Sequence, residues 1–200
     1  MLKRHLFFLT LLIATALTAL VVFANRELLF RTEIHETSDF AVNALQIERA
    51  KHFQEQYGNY SRYHFNHPGP AFFYVYALAE IVLHDWLHLV PSPHNAHVFG
   101  GIVLQGAFFA IGLMILSQLL ERRAVLTVGL LLGALHFAAA DHAFASIWPP
   151  HVLLMPFFTF LAATAAVAVG RLRVLPWLVL SGCFLAHGHV AQPLFVVVLT

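Results

Sequence analysis

Long apolar runs separated by short polar breaks set the pattern of this chain, and they are continuous rather than alternating. That excludes a membrane β-barrel and predicts helices. The first run covers residues 6–24 and follows Lys3 and Arg4. At 1.5 Å rise per residue, about 20 apolar residues cross a hydrocarbon core of about 30 Å. This run therefore predicts a membrane anchor. A signal peptide has a similar outline, and Val22 and Ala24 stand at tolerable cleavage positions. Its apolar region is usually about 7–15 residues, however, so the longer run here favours an uncleaved anchor. Further apolar runs cover residues 71–90, 98–120, 124–140 and 152–170. A last one, 174–199, is interrupted by His187-Gly188-His189.

Residues 25–70 form the long polar stretch and hold most of the acidic side chains. Within it, 39–56 lacks Gly and Pro and predicts a weakly amphipathic helix, ended by Tyr57-Gly58-Asn59. Basic residues favour cytoplasmic loops. The clusters Lys3-Arg4, Arg122-Arg123 and Arg171 with Arg173 therefore belong inside, which puts 25–70 and 141–151 outside together. Two full crossings between Pro70 and Arg122 would break that arrangement, so one apolar run must not cross. Glu80, His84, Asp85 and His88 crowd the second half of 71–90 and mark it as re-entrant or interfacial. The expected fold is all-α: one polytopic transmembrane helix bundle over residues 1–200, with an extracytoplasmic first loop that carries an amphipathic helix.

Composition agrees with that pattern. Hydrophobic residues make up 60% of the chain and charged residues 10%, against about 25% charged in a soluble domain. So few charges cannot cover the apolar surface of a soluble fold. The net charge of +1 gives no footprint for nucleic acid. Cys183 is the single cysteine, which excludes an internal disulfide and a cysteine-built zinc site. The 14 histidines outnumber all Asp and Glu together, which makes imidazole the abundant polar group to account for.

The outer loop contains Glu33, His35, Glu36 and Asp39, then Arg62-Tyr63-His64-Phe65-Asn66-His67-Pro68-Gly69-Pro70. A carboxylate can accept the proton of an attacking hydroxyl, and cations or donors can hold a departing phosphate. A purely structural reading is also open. Asp39 follows Thr37-Ser38 at a helix start, where an Asp caps the helix or favours its dipole.

The order of the pieces carries a resemblance. An anchor leads to a loop with an acid at a helix start. A Gly-Asn turn follows, then His67-Pro68-Gly69-Pro70-Ala71-Phe72-Phe73-Tyr74. This resembles the N-terminal part of the GT-C membrane glycosyltransferases, with protein O-mannosyltransferases and bacterial lipid A aminoarabinose transferases as the nearest in outline. Leu119-Leu120-Glu121-Arg122-Arg123 looks like the basic turn after their next helix. Trp148-Pro149-Pro150-His151 occupies the place of their second acidic loop motif, and Leu185-Ala186-His187-Gly188-His189 looks like a later helix.

The resemblance implies sugar transfer from a polyprenyl-phosphate donor on the outer side of a membrane, as in a bacterial inner membrane with the N-terminus cytoplasmic. It implies Asp39 as the base, with Arg62, His64 and His67 as donor-phosphate groups and Asp141 and His151 as second-loop candidates. Phe40 follows Asp39 where many relatives have a second acid. His67 replaces a frequent Lys, Gly69 a proline of the Pro-Pro pair, and His151 an Asp. Family members run to several hundred residues, so an ending at Val196-Val197-Val198-Leu199-Thr200 reads as an N-terminal portion.

Two other classes compete. His84 and His88 lie four apart, on one face of a helix, with Asp85 between them and His94 and His97 following. Such pairs hold zinc or iron, which suggests a membrane metalloenzyme of the desaturase or hydroxylase kind with a divalent metal. Against it, no doubled or tripled histidine motif is present. The interrupted run 174–199 would suit a transporter, although no internal repeat accompanies it. His187-Gly188-His189, inside an apolar run, reads either as part of a functional cavity or as a hydrogen-bonded helix contact.

Overall fold

The computed structural model describes residues 2–61, 63–138 and 143–200, with backbone alone at 2–5, 136 and 137. Two of the sequence candidates, Arg62 and Asp141, lie outside the described residues. The described chain is helical apart from one two-stranded hairpin. The helices are α1 (Leu2–Ala24), α2 (Arg26–Phe30), α3 (Asp39–Lys51), α4 (Ala71–Glu80), α5 (Pro93–Leu116), α6 (Arg122–Ala138), α7 (Pro149–Val152), α8 (Leu154–Ala168), α9 (Leu175–Gly188) and α10 (Gln192–Leu199). Strands β1 (Tyr60–Ser61) and β2 (Phe65–Asn66) pair antiparallel, with Tyr60 opposite Asn66.

Among the described residues, three segments are long and apolar enough to cross a membrane: Leu6–Ala24, Pro93–Leu116 and Pro149–Ala168. Outward faces are apolar too, as at Leu12, Phe23, Leu130 and Val197. Such a surface suits lipid and not water.

α5 is the central helix, packed by α1, α4 and α8. Ile102, Phe109 and Leu113 along it are fully enclosed. The packing is close where side chains are small. On α5, a Cβ at Gly106 would fall on the Thr18 hydroxyl of α1, and a Cβ at Gly100 would stand 2.8 Å from the Ala79 methyl of α4. Aromatic edges join the other helices: Phe184 of α9 meets Phe72 of α4 at 5.2 Å and Phe108 of α5 at 5.1 Å between ring centroids.

Several boundaries differ from the sequence expectation, each for a visible reason. The predicted helix 39–56 stops at Lys51. Phe53 takes a left-handed φ of 57°. The Phe53 and Gln54 N–H groups then donate to Ala50 and Arg49 carbonyls, a Schellman closure made without glycine. The Phe53 ring stacks on Tyr74. The hairpin at 60–66 has too few residues to show a strand period.

α5 begins at Pro93, earlier than the apolar pattern predicts, because its first turn is polar and buried: Asn95 and His97 are fully enclosed. Run 71–90 is a helix only to Glu80 and continues as a π-helical turn, Ile81–Trp86, until His88 turns left-handed at φ 49°. These ten and six residues reach no more than about 24 Å, short of about 30 Å of hydrocarbon. Run 174–199 divides into α9 and α10, with His189 extended between them.

The Gly100 contact gives a direct packing test. Gly100→Ala is expected to cost about 1–3 kcal/mol, because the opposing Ala79 methyl cannot rotate away. Gly101→Ala is the control, since its Cβ would meet Ile147 at an ordinary 3.5 Å. Thermal unfolding in detergent should separate the two, with only the first lowering the midpoint.

Candidate functional site

The site begins with how α3 starts. Ser38 precedes it at φ 55° and ψ −128°, a strained conformation for a residue with a Cβ. Its side chain makes no cap hydrogen bond. Asp39 is the first helical residue, exposed, and lines a cavity of about 790 Å³. Thus Asp39 sits in the first turn, where its charge suits the helix dipole, and also faces a space able to hold a ligand. The helix-start and cleft readings of this residue hold together.

The far wall of that cavity comes from distant segments. Asn59, Ser61, Tyr63 and His67 line it from the hairpin region, and Trp148, Pro149 and His151 from the start of α7. α3 carries the hairpin through two side-chain contacts. Asn59 donates to Asn43 Oδ1 at 3.0 Å, and Gln46 donates to the Gly58 carbonyl at 3.1 Å. Neither contact was visible in the sequence, because Asn and Gln have no periodic signature.

His67 is a hinge of this wall. Its backbone ladder continues the hairpin, with Gly58 N–H donating to the His67 carbonyl and His67 N–H to that of Asn59. Its Nδ1 accepts the Val190 N–H at 3.0 Å, which places the ring proton on Nε2. Burial, and then the nearby His189, push its pKa below the usual histidine value. His67 is therefore a neutral donor near pH 7, not a cation.

The interruption His187-Gly188-His189 is where this loop docks. Gly69 N–H donates to the His187 carbonyl at 3.3 Å, and the His67 and His189 rings lie 4.7 Å apart. A Cβ at 69 would collide with the His187 imidazole. Glycine is thus required at this position, where the resemblance would put a proline. Two motifs that the sequence shows far apart meet here.

His151 stands edge-on to Trp148, with ring centroids 5.0 Å apart, and its buried Nδ1 makes no hydrogen bond among the described residues. His64 does not join the cavity: it occupies the exposed hairpin tip at a left-handed φ of 62°. Among the described lining residues there is no Lys or Arg.

His84 and His88, expected to pair as metal ligands, belong to no group of three or more potential ligands among the described residues. His84 Nδ1 lies 2.9 Å from Asp85 Oδ1, and His88 Nδ1 lies 2.7 Å from the His84 carbonyl. The π-helical turn spoils the four-residue repeat that would have aligned them. A different group does converge. Glu36, His94 and His97 bring one ligand atom each within 4.8 Å of the others. The sequence displayed His94 and His97 but not their partner, since Glu36 comes from a loop 58 residues away from His94.

Comparison of the chain with protein-family models, curated proteins and solved structures found no match.

The lowered His67 pKa sets a pH dependence. The unfolded chain binds a proton near pH 6.5 that the folded His67 resists, so the unfolded state holds more protons just below that pH. Stability is then full above about pH 6.5 and declines as pH falls through it. Protonated Nδ1 also cannot accept the Val190 N–H. His67→Gln is expected to flatten the decline between about pH 6.5 and 5, measured by unfolding in detergent at a series of pH values.

Proposed function

We propose that the protein is a membrane glycosyltransferase that moves a sugar from a polyprenyl-phosphate donor to an acceptor hydroxyl on the extracytoplasmic side. One observation carries this reading: Asp39, His67 and His151, from three separate parts of the chain, line a single cavity. These are the acid of the first loop, the histidine of the Pro motif and the residue of the second loop that the GT-C resemblance singles out.

The chemistry follows from the lining. The acceptor oxygen attacks the anomeric carbon and forms the new glycosidic bond. The bond from that carbon to the phosphate oxygen breaks, and the polyprenyl phosphate leaves with the electron pair. Asp39 takes the acceptor proton as general base. His67, as a neutral Nε2–H donor, and the His151 ring are placed to hydrogen-bond the phosphate. The resemblance assigns the full positive charge to Arg62, which lies outside the described residues. Exposed Tyr63 and half-exposed Trp148 at the rim suit a membrane interface and the flat face of a sugar.

The same reading orders the helices as a polytopic bundle. α4 has both ends tied to residues 39–70: Tyr74 hydroxyl donates to the Glu55 carbonyl at 2.9 Å, and Glu80 meets Lys51 at 2.9 Å. These ties support reading α4 as re-entrant, as the placement of basic clusters inside requires.

Asp39→Asn is expected to reduce transfer from a labelled polyprenyl-phosphate sugar in membranes by about 10²-fold or more, with the protein still folded and inserted. Near-normal transfer by that variant would remove Asp39 from the mechanism. The sidedness has its own test. After Cys183→Ser, cysteines placed at Ser38 and at Trp148 are both expected to react with an impermeant thiol reagent from the non-cytoplasmic side alone. Labelling of either from the cytoplasm would overturn the arrangement.

A further inference from the structure

Three buried polar atoms face one another without partners. Glu36 Oε1, His94 Nδ1 and His97 Nδ1 are each shut off from solvent and make no hydrogen bond among the described residues. Both ring nitrogens stand 3.9 Å from the same carboxylate oxygen, too far for a hydrogen bond. Leaving polar atoms buried and unpaired costs about 1–3 kcal/mol each, so a common occupant is the economical explanation. Three ligand atoms all within 4.8 Å of one another share a centre no more than about 2.8 Å from each. Zinc bonds to nitrogen and oxygen are about 2.0–2.2 Å, so each ligand needs to close by less than about 1 Å.

We infer that Glu36, His94 and His97 form a transition-metal site that takes a zinc-like divalent ion. Two imidazoles and one carboxylate suit Zn²⁺ rather than Mg²⁺ or Ca²⁺, which prefer all-oxygen shells. Three protein ligands leave the fourth position for water. The outer partners are already in place. His97 Nε2 lies 2.7 Å from Glu80 Oε2, and Lys51 Nζ donates to Glu80 Oε1 at 2.9 Å. That carboxylate fixes the His97 proton on Nε2 and leaves Nδ1 as the metal-binding nitrogen, the usual carboxylate–histidine–metal order.

The ion would clasp an irregular loop to the bundle. Residues 32–37 are already tied to the α5 start at two points: Ser92 hydroxyl donates to the Ile34 carbonyl at 2.8 Å and Asn95 to that of Thr32 at 2.9 Å. Glu36 adds a third tie, three residues before Asp39. The ion's role is positional, and the site does not depend on sugar transfer being the activity.

The test uses the purified chain in detergent, stripped with chelator and titrated with Zn²⁺ alone. One tightly bound Zn²⁺ per chain is expected, with a rise in the thermal midpoint. His94→Ala and Glu36→Gln should each weaken binding by at least about tenfold, while His84→Ala and His88→Ala leave it unchanged. Co²⁺ in place of Zn²⁺ should give visible ligand-field bands that Glu36→Gln alters. Glu36 lies in a loop, so its variant keeps the test sound even if changing enclosed His97 prevents folding. Absence of stoichiometric Zn²⁺ in the wild-type chain would overturn the site. So would binding that survives His94→Ala and Glu36→Gln, or that falls equally in His84→Ala.

Discussion

The ion pair between Lys51 and Glu80 joins the polar segment 25–70 to the helix bundle, and much of the architecture depends on it. Glu80 ends α4 almost fully buried, among helices with little other charge. A buried carboxylate without a counter-charge would be prohibitive. Lys51 reaches it from the end of α3, and His97 from α5 takes its other oxygen. Burial alone would lower the Lys51 pKa, but hydrogen bonds to Asp85 and Glu80 outweigh it and hold the ammonium charged far above neutral pH. Removing one member leaves another buried and unpaired, which costs more than the pair itself contributes. The network therefore fixes which faces of α3, α4 and α5 meet, more than it adds net stability.

A second constraint comes from His67, whose burial favours the neutral ring. In an apolar environment an imidazole supplies both a donor and an acceptor without a net charge to desolvate. His67 uses that property to receive the backbone N–H of Val190, just past the end of α9. The break in the last apolar run is thus held by a side chain more than a hundred residues earlier in the chain. This explains why the cavity wall needs neither a lysine nor a disulfide to be fixed. It also transfers the burden of positive charge to whatever cation approaches the cavity.

The helical class and the apolar segments were legible because hydropathy over 20 residues reports burial or lipid exposure whatever the packing partner. Boundaries were less so. α3 ended at a left-handed Phe53, where no glycine marks the stop in the sequence. Asn95 and His97 disguised the first turn of α5, since hydropathy cannot distinguish a polar residue in water from one satisfied in a core. Asp39, His67 and His151 were legible as candidates through their order along the chain, and they share a cavity. His64 sits at the exposed hairpin tip rather than in the cavity lining, because a tight turn sends sequence neighbours different ways. The His84–His88 spacing assumed 3.6 residues per turn, where the backbone winds as a π-helix to Trp86 and turns left-handed at His88. Glu36 was illegible as a partner of His94, because long-range pairing of a loop with a helix start leaves no spacing to read.

These features together explain how an exposed aspartate on a loop-borne helix can hold a defined position. The end of α3 is fixed by Lys51 on Glu80 and by Phe53 on Tyr74, both contacts to α4. Its start is approached by Glu36 beside His94 and His97, with Phe40 packed edge-on against His94 at 5.5 Å, all contacts to α5. α4 and α5 are themselves locked at Ala79 and Gly100, where no larger residue fits. Movement of Asp39 is therefore opposed by the packing of α3 on α4 and by the Phe40–His94 ring contact to α5. A site that must keep reacting atoms within a fraction of an ångström needs that kind of support. The strain at Ser38 is sustainable on the same ground, because the residues on either side of it are anchored to the bundle and leave the turn no easier path.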